Sequence, residues 1–139
     1  MENLTFKTRA TQLVRLVCAV ILLQTLFFKF GGALESVYIF ETVGLGTPGR
    51  IGTGIMELVA SICLFVPRLR LWGALLAVGL MAGAIMSHLT VLGIEVLGDH
   101  GKLFFMAITV FVGSIYLAYQ YFPNSDVHNF WKRNFLKTI

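Results

Sequence analysis

Four long apolar stretches, at about 10–30, 50–66, 71–92 and 102–122, limit this chain more than any other feature. Each is close to the ~20 residues that a helix needs to cross the hydrocarbon of a bilayer. A backbone in lipid has no water to bond with, so apolar spans of this length fold as helices. The expectation is therefore an all-α transmembrane four-helix bundle, left-handed, in one transmembrane domain covering 1–139. Charged residues are only 13% of the sequence and hydrophobic ones 57%. A soluble domain has about 25% charged residues.

The interruptions are legible. "GGALESVYIFETVGLGTPG" (31–49) has five glycines, one proline and two glutamates, and is the longest connection. "PRLR" (67–70) is a tight basic turn, "GIEVLGDHG" (93–101) is polar and glycine-rich, and Pro123 stops the fourth helix. The N-terminal basic residues resemble those of a signal peptide, but no small-residue cleavage site follows, so a retained first helix is expected.

A net charge of +4 raises nucleic acid as a partner. The basic residues flank apolar runs instead of forming a patch, so no nucleic acid is expected; they read as orientation charge. Lys7, Arg9 and Arg15 accompany the first helix, Arg68 and Arg70 join the second to the third, and Lys132, Arg133 and Lys137 follow the fourth. The other two loops hold Glu35, Glu41, Glu95 and Asp99. Both termini are expected in the cytoplasm, with the 31–49 and 93–101 loops outside. The tail, 124–138, reads as an interfacial helix with Val127, Trp131, Phe135 and Ile139 on one side and Arg133 and Lys137 opposite.

Steps of three and four place most polar and small residues of the spans on one seam per helix. The first seam is Arg15, Cys18, Leu22, Thr25 and Lys29; the second is Arg50, Gly54, Glu57, Ser61, Leu64 and Arg68. The third is Gly73, Ala77, Leu80 or Met81, Ala84 and His88; the fourth is Lys102, Met106, Thr109, Gly113, Tyr116 and Gln120. Small residues on such faces let helices pack closely in lipid. Gly79 and Gly83 are spaced as GxxxG, which reads first as a helix contact within the chain and second as a face for a homo-oligomer.

Glu57 is the residue that most needs a reason, because an ionised carboxylate inside a span is costly without a partner. Lys29 is the expected partner, with Thr25 and Ser61 on the adjoining seams. As an ion pair the two can be architecture alone. With His88 added, the group becomes a polar pocket with a side chain able to exchange protons near neutral pH. A metal site from Glu57, His88, Asp99 and His100 is a weaker alternative, since its ligands are scattered, and none is expected. Cys18 and Cys63 read as buried apolar fillers sooner than as a redox pair. Phe27, Phe28, Tyr38, Phe104 and Phe105 read as an interfacial belt, or as the wall of a cavity for a flat ring.

"LLQTLFFKFGG", "GIMELVASICLFVPRLRLWGALL" and "GAIMSHL" resemble the DoxX-like membrane proteins, over roughly residues 12–120. That family has four spans, a Lys ending the first helix, a Glu in the second, a basic turn and often a His late in the third. Lys29, Glu57, Arg68 and His88 are the matched positions. Thr25 with the bulky "LFF", and Ser61, stand where the family often has Gly. The resemblance implies a bacterial inner-membrane protein associated with redox systems that deliver electrons to quinone. The chain itself shows no CxxC, no nucleotide-binding glycine motif and no deep haem-ligand His pair. Three functions stay open: a quinone- or lipid-facing accessory subunit with a pocket at Lys29, Glu57 and His88, a non-catalytic assembly factor, and a small proton-coupled carrier. No catalytic residue is assigned.

Overall fold

The computed structural model describes residues 2–122. It contains helices α1 (Glu2–Phe30), α2 (Leu34–Thr42), α3 (Gly46–Phe65), α4 (Arg70–Ser87) and α5 (Lys102–Tyr121). His88–Leu92 prolongs α4 as a π-helical turn. The helix expected at 124–138 lies outside the described residues. Segments Thr5–Phe30, Gly46–Phe65, Arg70–Leu92 and Lys102–Tyr121 are each long and apolar enough to span a bilayer. Together they form a bundle packed helix on helix, and no strand occurs among the described residues.

α1 packs on α3 and α5, and α4 also packs on α3 and α5, so α1 and α4 occupy opposite corners. Contact is closest where side chains are small. A methyl group added at Gly73 would come within 2.9 Å of the Ala60 carbonyl and the Leu64 nitrogen, which locks α4 against α3 near their connecting turn. One added at Gly54 would stand 3.0 Å from the Phe30 ring, and one at Gly113 would meet Cys18 Sγ at 2.6 Å. The core between these contacts is Cys18, Leu22, Ala60, Leu64, Ala74, Ala77, Val110 and Leu117, all essentially inaccessible.

Three expectations change. The 31–49 connection is not a loop throughout: it contains α2, which packs on α3 and touches α1 and the π turn. Its two turns are too short for the apolar periodicity of a span. The α5 seam is rotated by about one residue. Its buried line is Phe104, Ala107, Val110, Ser114 and Leu117, while Thr109 faces outward with its hydroxyl donating to the Phe105 carbonyl. A threonine that bonds its own helix tolerates lipid, so polarity alone misreads this face. The glycines of the GxxxG pair make no helix contact within the chain: both are exposed, and a Cβ at either would meet nothing within 4 Å.

Leu13, Val20, Ile55, Ile62, Leu75, Met86, Val112 and Ile115 point out of the bundle, as lipid-facing residues should. Phe27 is exposed in accord with a belt, but Phe104 is buried, with its ring centroid 5.5 Å from that of His88 in an edge contact.

Candidate functional site

The site begins with Glu57, 4% exposed on the α3 face toward α1. Lys29, in the last turn of α1, places Nζ 2.8 Å from Oε2 and 3.0 Å from Oε1. Thr25, one turn earlier, donates its hydroxyl to Oε2 at 2.9 Å. The i, i+4 spacing of Thr25 and Lys29 puts both on one face of α1, so one helix supplies the cation and the second donor. The Arg50 guanidinium caps the carbonyl of Lys29, which fastens the end of α1 to the start of α3 and puts a cation where the helix dipole favours one. Sequence reasoning missed this bond, because the carbonyl that Arg50 seeks is exposed only by the end of α1.

The expected members of the site divide. Thr25, Lys29, Glu57 and His88 all line one cavity of about 440 Å³. Ser61 does not: its hydroxyl donates to the Glu57 carbonyl one turn back, and it is buried within the α3 contact surface. His88 reaches the cavity wall without bonding Glu57. Its Nδ1 lies 2.8 Å from the Gly93 carbonyl, just past the π turn. Gly93, at φ +81°, gives the reversal that turns this carbonyl back. With Nδ1 engaged by that carbonyl, Nε2 is the ring nitrogen on the other side.

The metal alternative is not assembled. Among the described residues no three His, Cys, Asp or Glu side chains are gathered for an ion. Asp99 is spent on backbone: Oδ1 accepts from Val96 and Gly101, and Oδ2 from Leu103 at the start of α5. Burial pushes its carboxyl up, but these three donors and the nearby His88 outweigh that and hold it below the ordinary carboxylate range. His100 is exposed beside Glu95. Cys18 faces α5 and Cys63 faces Gly73 on α4; both thiols are free.

The cavity occupies the half of the bundle nearest Lys29. Its walls are mainly apolar, from Ile21 and Phe28 of α1, Ile39 and Phe40 of α2, Leu80 of α4, and Leu103 and Met106 of α5. The open faces of Gly79 and Gly83 form part of its wall, which explains why they touch no neighbouring helix. Ser36 of α2 also lines it, 6% exposed, and its hydroxyl has no hydrogen-bond partner. Burying such a group unpaired is costly. The volume falls within the ~300–1,000 Å³ of ligand pockets, and the walls are mainly apolar as in such pockets, with Glu35, Asp99 and Lys102 also bordering it.

Fold and site define an integral membrane protein: a four-helix bundle with a buried ion pair at the edge of a largely apolar cavity. Compared with family models, with curated proteins and with solved structures, the chain finds no match.

Proposed function

We propose that the protein holds an amphiphilic small molecule of the bilayer, a quinone or a lipid, in the cavity beside Lys29 and Glu57, as an accessory subunit of a membrane redox system. The single observation that carries the reading is the unpartnered, buried Ser36 hydroxyl beside a cavity of about 440 Å³ with mainly apolar walls. A ligand with an apolar body and one or two carbonyl or hydroxyl groups complements that lining. Ser36 would donate to it, and His88 would face it as an acceptor or donor. The Lys29–Glu57 pair contributes a fixed dipole at the cavity edge, with no net charge to neutralise. The DoxX-like pattern of Lys29, Glu57, Arg68 and His88 adds the redox context and a bacterial inner membrane, and the Lys and Arg distribution supports both termini in the cytoplasm. No electron carrier of the protein's own is part of the proposal.

A second reading rests on the exposed glycines. A helix of a membrane partner, or of a second copy, laid over Gly79 and Gly83 would find a face open to close backbone approach. Native mass spectrometry of gently extracted protein separates the two. A quinone or lipid adduct that Gly83→Leu displaces supports the first; a stoichiometric protein partner without a small molecule supports the second. Wild-type protein that retains neither overturns both.

A further inference from the structure

At the opposite end of the bundle, about 21 Å along α1 from Lys29, two arginines converge with no acid beside them among the described residues. Arg15, half-buried on α1, holds its guanidinium carbon 5.3 Å from the centre of the Phe65 ring. Arg70, the first residue of α4, holds its own 5.9 Å from the centre of the Tyr121 ring. Both guanidiniums act electrostatically on the Tyr121 hydroxyl. Nε of each arginine and the hydroxyl of Tyr121 are buried with no partner in hydrogen-bonding geometry, and the Arg15 guanidinium approaches that hydroxyl at longer range. Among the described residues the ion pairs are Lys29–Glu57 and His100–Glu95, so neither arginine has a carboxylate partner among them.

The backbone adds to the same potential. α4 begins at this corner with no side-chain cap and no acidic residue in its first turn, so the positive end of its dipole is unanswered. Two cations, a helix N-terminus and the Tyr121 hydroxyl therefore gather at this corner with no carboxylate partner among the described residues. Orientation charge alone does not account for this. Arg68, in the adjoining turn, is exposed, whereas Arg15 and Arg70 are seated on aromatic rings.

We infer that this corner binds a phosphate-bearing anion, held by Arg15 and Arg70 with the Tyr121 hydroxyl as a further donor. The planar donor fork of arginine matches phosphate oxygens in pairs. The depth suits a phospholipid headgroup. The 20 residues from Lys102 to Tyr121 rise about 28 Å, close to the ~30 Å of a hydrocarbon core, so Tyr121 stands at its edge. Free phosphate carries the same chemistry. The inference does not depend on what fills the cavity.

The test uses the full chain in neutral detergent, with added phosphatidylglycerol, phosphatidylcholine or inorganic phosphate, followed by melting temperature and native mass spectrometry. Wild-type protein is expected to retain phosphatidylglycerol about tenfold over phosphatidylcholine, and to melt higher with it. Arg15→Gln/Arg70→Gln should lose both effects while Arg68→Gln keeps them. Without added anion the double variant should melt close to wild type, because removing two cations that lack a carboxylate partner among the described residues offsets the lost ring contacts. A response to inorganic phosphate that the double variant loses assigns the site to free phosphate; a response to phosphatidylglycerol alone assigns it to the headgroup. Equal retention by wild type and double variant, or no response of wild type to either anion, overturns the inference.

Discussion

Lys29 and Glu57 meet across the α1–α3 interface, with the ammonium 2.8 and 3.0 Å from the two carboxylate oxygens. Thr25 takes a further lone pair of Oε2, so the charge deepest in the bundle enters lipid as a hydrogen-bonded pair. Side-chain exposures of 14% and 5% mean that little solvent screens it. Burial of this kind makes the pair expensive to break and cheap to delete entirely.

Glu57→Leu leaves the Lys29 ammonium uncompensated and is expected to cost about 3–5 kcal/mol. Lys29→Met/Glu57→Leu should recover most of that loss. Unfolding of wild type, Glu57→Leu, Lys29→Met and the double variant in detergent measures the cycle. Equal instability of single and double variants would mean that the pair does not act as a unit. A double variant that folds but loses the small-molecule adduct marks the pair as part of the binding site.

Glycine substitutions should sort by neighbour. Gly73→Ala forces a methyl against the α3 backbone, and a loss of about 1–3 kcal/mol is expected. Gly79→Ala and Gly83→Ala meet open space, so the better helix propensity of Ala should raise stability by about 0.5–1 kcal/mol each. Melting temperatures of purified single variants read the contrast. Similar losses at all three would contradict the facing of α4.

Asp99 ties the 93–101 loop to α5: Oδ2 accepts from Leu103 in its first turn, and Oδ1 from Val96 and Gly101 before it. Asp99→Ala should cost about 1–2 kcal/mol by freeing three backbone donors. The carboxyl is held lower in the folded chain than its ordinary value of 3.8. Its contribution is therefore full above that value and is lost as pH falls through the lower, folded one. Stability of wild type should decline toward Asp99→Ala in that acid window and not above it. A pH-independent difference between the two would remove the charge of the carboxylate from the account.

Topology follows from charge. Reporter fusions within residues 36–46 should read as outside and fusions after Asp126 as inside. The opposite pattern would move the cavity to the cytoplasmic half and the arginine corner to the outer leaflet.

The sequence by itself determined the four spans and the Lys29–Glu57 pair. Lipid offers no hydrogen bonds, so span length, helical spacing and the need to answer a buried carboxylate leave few solutions. Inward seams on α1, α3 and α4 were legible for the same reason. Only tertiary structure decided the rest. The Gly79 and Gly83 faces border a cavity because neighbouring helices do not close over them. The pitch of α5 depends on how Ala107 and Ser114 pack, since Thr109 satisfies itself. His88 turns to Gly93 because a π turn and a glycine reversal bring that carbonyl within reach. Ser36 becomes an orphan only when α2 folds onto the bundle. Helical periodicity records which side of a helix avoids lipid; how far apart two helices stand is a property of the whole packing.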